Sequence, residues 1–426
     1  MAPGALPGFR DFYPAEFAER AHIFAAWRDV ARRFGFSEYD GPPLEPLELY
    51  TKKSGEEIAG QLYGFTDKGG REVSLRPEMT PTLARMAAAR ANALRKPVRW
   101  FSIPQLFRYE RQQRGRLREH FQLNMDILGE PDVTADAELL AAAVGIMQVL
   151  GLTQQDVVAR VSDRRLISAL LQGNGIQASE LPAAFAALDK LGRDPDEVLK
   201  DRLEKAGIDR TRSAPIFRIA GAATDRAGLE TEVRDARAEA AYEPLKRYFD
   251  YVASLGIADW VRLDLSIVRG LAYYTGIVFE LFDAKGELRA ICGGGRYDDL
   301  LQQLGGVAMP ALGFGMGDVV LGELLRDRKL MPAHEPALDF WVAFAEDVDV
   351  AIAMRVASGL RARGRSVEYA LGAQKLARQL KAASTAGARQ AVLLSLAEVQ
   401  RGEATIKDLS DGSERHVRLE QWLATQ

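Results

Sequence analysis

Basic, acidic and amide side chains alternate with apolar ones in one stretch of this chain, residues 107–129, FRYERQQRGRLREHFQLNMDILG. The alternation on both sides of a polar, glycine-containing centre predicts an antiparallel hairpin with a mobile basic tip at 112–116. Because side chains alternate sides along a strand, the predicted hairpin has one polar face. That face carries Gln122, Asn124 and Asp126 on the return strand, and Arg108 and Glu110 on the outgoing strand.

The side chains of this face match what a nucleotide and a small amine would require. Arginine suits phosphate, because its planar fork binds two oxygens and stays charged, while carboxylates and amides accept hydrogen bonds from an ammonium group. Further arginines crowd the tip, namely Arg111, Arg114, Arg116 and Arg118. This combination of arginine, carboxylate and amide side chains favours a site for a triphosphate and an amino-bearing molecule. The alternative is that the face is simply the solvated side of a sheet.

A second candidate lies where a short strand turns into a helix, at residues 73–82, VSLRPEMTPT. Thr80 is predicted to cap the helix, since Pro81 is tolerated in its first turn. Glu78 has two interpretations. It is either a surface acid that benefits from the helix dipole, or a carboxylate held at the strand end and aimed at an ammonium group.

Two glycine-rich segments follow later in the chain. A predicted strand at 288–292 runs into Gly293, Gly294 and Gly295, and three successive glycines usually mark close backbone approach or positive φ. Their spacing matches neither the dinucleotide fingerprint nor the phosphate loop of nucleoside triphosphatases. The segment 313–317, GFGMG, places glycines along one strand face. That face is either a flat floor for a purine or crowded core packing.

Composition bounds the possible functions. The chain has 426 residues, 47% hydrophobic and 27% charged, with a net charge of −3, which argues against coating nucleic acid by bulk charge. The single cysteine, Cys292, excludes an internal disulfide and a multi-cysteine zinc site. The four histidines are scattered, so no tightly bound metal is expected. No segment is apolar enough for a membrane span or a presequence, which makes the cytoplasm the expected location.

The order of elements predicts two domains. A helix from Tyr13 to Gly35 is followed by mixed strands and helices, with a helical insertion at residues 175–241. Residues 330–337 form a proline-bearing linker. Residues 338–426 alternate strands and helices, which predicts a small α/β domain with a partly parallel sheet and an edge strand at 404–409. Its Lys375, Arg378 and Lys381 recur at helical spacing, either as an RNA-facing patch or as a solvated face.

These segments together resemble the histidyl-tRNA synthetase family of class II aminoacyl-tRNA synthetases. FRYERQQRGRLREHFQ resembles the second class-defining motif, LRPEMT the amino-acid-binding turn, and VRGLAYY and GGGRYD the two histidine signatures. The resemblance spans the whole chain. It implies an α+β catalytic core built on an antiparallel sheet over residues 1–329, with the helical insertion, and an α/β anticodon-binding domain at 338–426.

The resemblance also implies roles for individual residues. The histidine-binding set comprises Glu78, Met79 and Thr80, with Gln122 and Asp126 continuing the pocket and Tyr273 and Tyr274 meeting the imidazole. The ATP-binding set comprises Arg108 at the α-phosphate, Glu110 at the adenine amino group, Arg116 at the terminal phosphates, and Gly293, Gly294, Gly295 and Gly315. Arg269 resembles the catalytic arginine between the histidine carboxylate and the α-phosphate. The resemblance also implies that the substrates are ATP with Mg²⁺, L-histidine and tRNA(His), and that the chain forms a homodimer.

Two positions depart from the family pattern. Asp318-Val319-Val320 stands where the third class-defining motif usually supplies an arginine for ATP, and Ala272 stands where an acid often precedes the tyrosine pair. ATP affinity and the fine arrangement of the histidine pocket depend on how these changes are compensated. Two other functions are compatible with the fold: a histidine-sensing regulatory paralogue of an ATP phosphoribosyltransferase, and a class II ligase for another amino acid.

Overall fold

The structure, a computed structural model, describes residues 4–51, 60–110, 115–222, 226–268, 273–333, 338–372 and 374–426. The chain divides into two compact units, Met1–Pro332 and Ala333–Gln426. Within the described ranges, no helix combines the length and the apolar content needed to cross a membrane.

The first unit contains a large sheet and a small one. Its strands are β1 (Ser37–Glu38), β2 (Leu44–Pro46), β3 (Tyr63–Thr66), β4 (Glu72–Leu75), β5 (Val98–Ser102), β6 (Gln105–Phe107), β7 (Glu119–Leu128), β8 (Val157–Asp163), β9 (Val261–Leu263), β10 (Ile277–Asp283), β11 (Cys292–Arg296) and β12 (Ala311–Gly317). In the described residues the large sheet has the order β1-β5-β7-β12-β11-β10-β8-β9, with β6 beside β7. The small sheet has the order β2-β4-β3. The large sheet is antiparallel except at its margins, where β1 and β5, and β8 and β9, run parallel.

Helices pack against the large sheet and fill the insertion. They are α1 (Pro14–Arg33), α2 (Glu48–Thr51), α3 (Thr80–Ala89), α4 (Thr134–Val149), α5 (Arg164–Gly173), α6 (Leu181–Asp189), α7 (Asp196–Lys205), α8 (Arg210–Ala222), α9 (Arg226–Glu232), α10 (Ala236–Ser254), α11 (Leu300–Gly305) and α12 (Asp318–Asp327). The apolar face of β7, with Leu123, Met125 and Ile127, is buried in the main core together with α4. Its polar face is therefore turned to the other side of the sheet.

One buried ion pair ties α4 to the glycine-rich strand. Arg296, at the end of β11, is fully buried and pairs with Asp136 on α4. Its guanidinium also donates to the backbone carbonyls of Glu130 (2.9 Å) and Asp132 (3.1 Å). A buried charge is stable only when it is paired and hydrogen-bonded, so these contacts fix where β11 ends.

Three local predictions for the first unit are wrong. The outgoing hairpin strand ends at Phe107, because the Tyr109 N–H donates to the Gln61 carbonyl (2.7 Å) and not to β7. The strand predicted at 288–292 begins at Cys292 instead, so the glycines lie inside β11. Met79, not Thr80, occupies the cap position of α3, with no side-chain hydrogen bond.

The second unit is an α/β domain with a partly parallel sheet, as predicted. Its strands are β13 (Leu338–Phe344), β14 (Val367–Tyr369), β15 (Ala388–Leu394), β16 (Glu403–Asp408) and β17 (Glu414–Arg418). Its helices are α13 (Val350–Arg361), α14 (Leu376–Thr385), α15 (Leu396–Gln400) and α16 (Leu419–Ala424). The order is β14-β13-β15-β16-β17, with β13 parallel to both of its neighbours. The prediction that 404–409 is an edge strand is wrong, because β17 pairs with its outer side.

Candidate functional site

The polar face of β7 is enclosed, which excludes the solvated-face alternative. Asn124 and Asp126 are 5% and 3% exposed. The neighbouring strand β12 makes this possible, because a Cβ at Gly313 would overlap the Asp126 carboxylate. A Cβ at Gly315 would lie 2.7–2.9 Å from the amide group of Gln122. The glycines thus leave room for two polar side chains, and that room is filled by Asp126 and Gln122.

Asp126 is hydrogen-bonded to one member of a cluster of tyrosine residues. The hydroxyl of Tyr297, just after β11, donates a hydrogen bond to its carboxylate. Tyr273, Tyr274 and Tyr297 belong to one packed cluster, with ring centroids 4.9 Å apart for the first two and 5.8 Å for Tyr273 and Tyr297. Burial raises the pKa of the Asp126 carboxyl to about 7, and the hydrogen bond from Tyr297 lowers it only in part.

Glu78 joins this group from the turn before α3. It is 4% exposed, so the interpretation as a surface acid is wrong. The Tyr273 hydroxyl donates to its Oε2 at 3.3 Å. The two carboxylates, Glu78 and Asp126, therefore reach the same tyrosine cluster from different parts of the first unit. Such an enclosed acidic pair attracts a ligand with an ammonium or N–H donor.

Arg108 connects the Glu78 turn to the start of β7. Its Nε donates to the carbonyl of Pro77 at 2.9 Å, and its backbone N–H donates to the Arg118 carbonyl. His120 lies close to Arg108. Burial lowers the pKa of the His120 imidazole to about 3, and the positive charges of Arg108 and Arg10 add to this effect, so the ring is neutral at physiological pH.

Two further residues assigned to ATP, Glu110 and Arg116, are paired with each other. Glu110 is 7% exposed and accepts hydrogen bonds from Arg116. Gly115, next to Arg116, has φ +72°, and a Cβ there would lie 3.3 Å from Val320. The described end of the hairpin tip therefore lies beside the position where the family pattern expects an arginine. Gln112, Gln113, Arg111 and Arg114 are outside the described residues.

Asp318, the first departure from the family pattern, is the centre of an ion cluster. Arg10 donates to Glu119 at 2.6 Å and pairs with Asp318 at 2.9 Å. Asp318 also accepts from the Phe121 N–H at 2.9 Å. Burial raises the pKa of the Asp318 carboxyl, and Arg10 opposes this shift. These contacts join the N-terminal segment, β7 and α12.

Two of the three glycines of β11 are explained by close packing. All three are buried within the sheet. A Cβ at Gly294 would lie 2.7 Å from the Phe314 Cα, and one at Gly295 would lie 2.6 Å from the Ile277 carbonyl. Met79 is also fully buried, with its sulfur against Arg76. The assignment of Gly293, Gly294, Gly295 and Gly315 to ATP, and of Met79 and Thr80 to histidine, stays a prediction.

Arg269 and Ala272 lie outside the described residues. Among the residues that the structure does describe, no group of three histidine, cysteine or acidic side chains is arranged to hold a metal.

No functional role is predicted from the sequence for Tyr297, His120 or Arg10. Tyr297 was quoted within GGGRYD, and its position beside glycines that pack against β12 was the available signal. His120 is one of four scattered histidines, so no pattern in the sequence distinguishes it. For Arg10, pairing with residues more than a hundred positions away leaves no local pattern.

Comparison with known proteins identifies both units. A family described as histidyl-tRNA synthetase matches residues 8–317, and a family described as anticodon binding domain matches residues 340–425. Together these matches cover nearly the whole chain.

Individual relatives agree with the family matches. The chain is 44% identical over 421 residues to the histidine–tRNA ligase of Opitutus terrae, covering 98% of this chain and 96% of that protein. It is 40% identical over 412 residues to the chloroplastic/mitochondrial histidine–tRNA ligase of Arabidopsis thaliana, covering 97% and 84%. The crystal structure of histidyl-tRNA synthetase from Nostoc sp. PCC 7120 shares the fold, with a TM-score of 0.80 at 24% identity and coverage of 100% and 99%.

The raised pKa of Asp126 predicts a pH-dependent stability. Between about pH 4 and about pH 7 the folded chain retains a proton on Asp126 that the unfolded chain has released, so this group's contribution to stability falls as the pH rises. Asp126→Asn removes the titration. Urea unfolding across pH 4–8 should show the original chain losing stability relative to the variant up to about pH 7, with a constant difference above it. A difference that stays constant over the whole range would contradict the assignment.

Proposed function

Since this chain belongs to the histidyl-tRNA synthetase family, we propose how its residues activate histidine with ATP and transfer it to tRNA. The activity is that of an ATP-dependent aminoacyl-tRNA ligase for histidine. The observation that carries the residue assignment is the enclosed carboxylate of Asp126 among three tyrosines, with Glu78 bonded to the same cluster. The regulatory alternative gains no support, because the quoted relatives are ligases that match along both units.

The histidine substrate fits the donor and acceptor pattern of this cluster. Glu78, Thr80 and Gln122 would hold the α-ammonium group, with Met79 contributing backbone at the start of α3. Asp126, Tyr273 and Tyr274 would meet the imidazole, which carries one N–H donor and one acceptor nitrogen when neutral. Binding inside an enclosed aromatic pocket favours this ring over a flexible aliphatic side chain.

Activation joins two anions, the histidine carboxylate and the α-phosphate of ATP. Positive groups must offset charge that accumulates as the transition state forms. Arg108 is suited to the α-phosphate, because its contact with the Pro77 carbonyl holds it next to the Glu78 turn. Arg269 is assigned the position between carboxylate and phosphate on the strength of the VRGLAYY resemblance. No enzyme nucleophile is needed, since the substrate carboxylate attacks.

The adenine and the terminal phosphates are assigned to Glu110 and Arg116. Because these two residues are paired with each other, nucleotide binding must separate them before Glu110 can meet the adenine amino group. Glycines 293–295 and Gly315 complete the assigned nucleotide set. Mg²⁺ enters with the phosphates as part of the substrate.

The second unit is assigned to tRNA binding, since it matches the anticodon binding domain family. We propose domain bounds of 1–329, with the insertion at 175–241, a linker at 330–337, and 338–426, supported by the division at Pro332 and by the two family matches. Lys375, Arg378 and Lys381 are exposed, as contact with RNA phosphates requires. The terminal ribose of tRNA(His) would then receive histidine from the adenylate.

A cytoplasmic location is part of the proposal, and the single, buried thiol of Cys292 is compatible with it.

Histidine-dependent exchange of pyrophosphate into ATP tests this function. We expect exchange by the full chain, and no exchange above background would remove the ligase assignment.

Arg269→Ala should lower the exchange rate at saturating substrates by at least about a hundredfold, as for loss of a donor aimed at developing charge. Arg262→Ala is the control, because this exposed arginine of β9 bonds, among the residues that the structure describes, only to backbone carbonyls nearby. An Arg269→Ala rate equal to that of the control would refute the role of Arg269.

We also propose a homodimer, supported by apolar residues on the small sheet. Leu44 and Phe65 are 37% and 49% exposed. Sedimentation velocity of the full chain should give the mass of two copies, and Phe65→Asp should shift the population toward one copy, because a buried charge in an interface is costly. A single-copy mass for the unaltered chain at micromolar concentration would contradict the proposal.

A further inference from the structure

Tyr39 shares a face of the large sheet with Asp126, although the two residues are far apart in the sequence. Its N–H donates to the Phe101 carbonyl at 2.8 Å, which extends the pairing of β1 with β5. In the register of the sheet, Ser37 pairs with Trp100 and Trp100 pairs with Asp126. Because every second residue of a strand points to the same side, Tyr39 is on the side of Trp100 and Asp126.

The contacts of Tyr39 agree with this placement. Its ring packs on Trp100, with centroids 5.4 Å apart, and it borders the cluster that contains Tyr273, Tyr274 and Tyr297. Asp126 is close enough to contribute to the raised pKa of the Tyr39 hydroxyl, after burial itself. Tyr39 therefore lies beside the residues already assigned to the histidine side chain.

The hydroxyl of Tyr39 is enclosed and forms no hydrogen bond within the described part of the chain. A buried polar group without a partner destabilises the folded chain, because the hydrogen bonds that it made to water are not replaced. A phenylalanine would provide the same packing against Trp100 without that cost. The hydroxyl is therefore explained if a ligand supplies its partner when the site is occupied.

Burial alone does not identify a ligand contact. The hydroxyl of Tyr248, on α10, is also enclosed without a partner among the described residues. Tyr248 packs in the main core, whereas Tyr39 borders the cluster of Tyr273, Tyr274 and Tyr297. The neighbours of Tyr39 distinguish it, because they include the carboxylate and the tyrosines of the candidate site.

We propose that Tyr39 is a specificity-determining residue whose hydroxyl donates a hydrogen bond to the unprotonated imidazole nitrogen of the bound histidine. Asp126 accepts the hydrogen bond from the other nitrogen. This inference rests on the proposed function, since it names a further contact of the same pocket.

Tyr39 and Asp126 together would distinguish imidazole from other rings by its hydrogen-bonding groups. A neutral imidazole has one donor and one acceptor nitrogen, and a carboxylate with a hydroxyl presents the complementary acceptor and donor. A ring that lacks the acceptor nitrogen leaves the Tyr39 hydroxyl unsatisfied. Sites built to bond a polar group discriminate strongly against analogues without it, because their own polar atoms remain unpaired.

Tyr39→Phe tests the contact with minimal change in shape, and Tyr248→Phe is the matched control. We expect Tyr39→Phe to raise the KM for histidine in pyrophosphate exchange by about three- to tenfold, the loss of one hydrogen bond. The KM for ATP should be unchanged. Tyr248→Phe should leave both values unchanged, and thermal unfolding should show that neither variant is less stable than the original chain.

An analogue separates a contact with the ring from a general disturbance. Alanine carrying a pyrrole ring, with an N–H but no acceptor nitrogen, serves as a competitive inhibitor of histidine-dependent exchange. Its inhibition constant should be the same for the original chain and for Tyr39→Phe, while the KM for histidine differs. An unchanged KM for histidine, or an equal loss for the analogue, would overturn the proposal. Absence of exchange by the original chain would instead refute the ligase function itself.

Discussion

The site depends on the absence of two side chains. At Gly313 and Gly315 of β12, any Cβ would occupy the space of the Asp126 carboxylate and the Gln122 amide on β7. The glycines cost conformational entropy, and they have no side chain to pack, so the sheet loses stability at this point. In return, two polar side chains fit against β12 on the face of the sheet that lies opposite the main core.

The burial of the carboxylates on this face determines which ligands the face can bind. Removing carboxylates from water raises their free energy, which is why Asp126 has a raised pKa and bonds to Tyr297. Glu78 is held in a similar way by Tyr273. A substrate that brings N–H donors and a positive charge relieves this cost when it binds. Arg108 is held at the Pro77 carbonyl. In the proposed activation it adds a positive charge where the two anionic groups of the reaction meet.

Much of this arrangement follows from local pattern. Alternation along β7 correctly separates Leu123, Met125 and Ile127 from the polar face, because one side of a sheet strand is buried in the core. The family resemblance predicted both units, and the matches confirm them. Strand ends were predicted less well, since they depend on partners distant in sequence. The N–H of Tyr109 donates to the Gln61 carbonyl and not to the partner strand of the hairpin. Similarly, β17 pairs with the strand that was expected at an edge. The Arg10 cluster around Asp318 is equally non-local.

The central claim is that the geometry of Asp126, set by Gly313, decides histidine binding. The KM for histidine in pyrophosphate exchange should rise at least about tenfold in Gly313→Ala, because the added methyl group must displace the carboxylate. Gly317→Ala, on the same strand and with open space around its Cβ, should leave this KM unchanged. An unchanged KM in Gly313→Ala, with the same thermal stability as the original chain, would contradict the account.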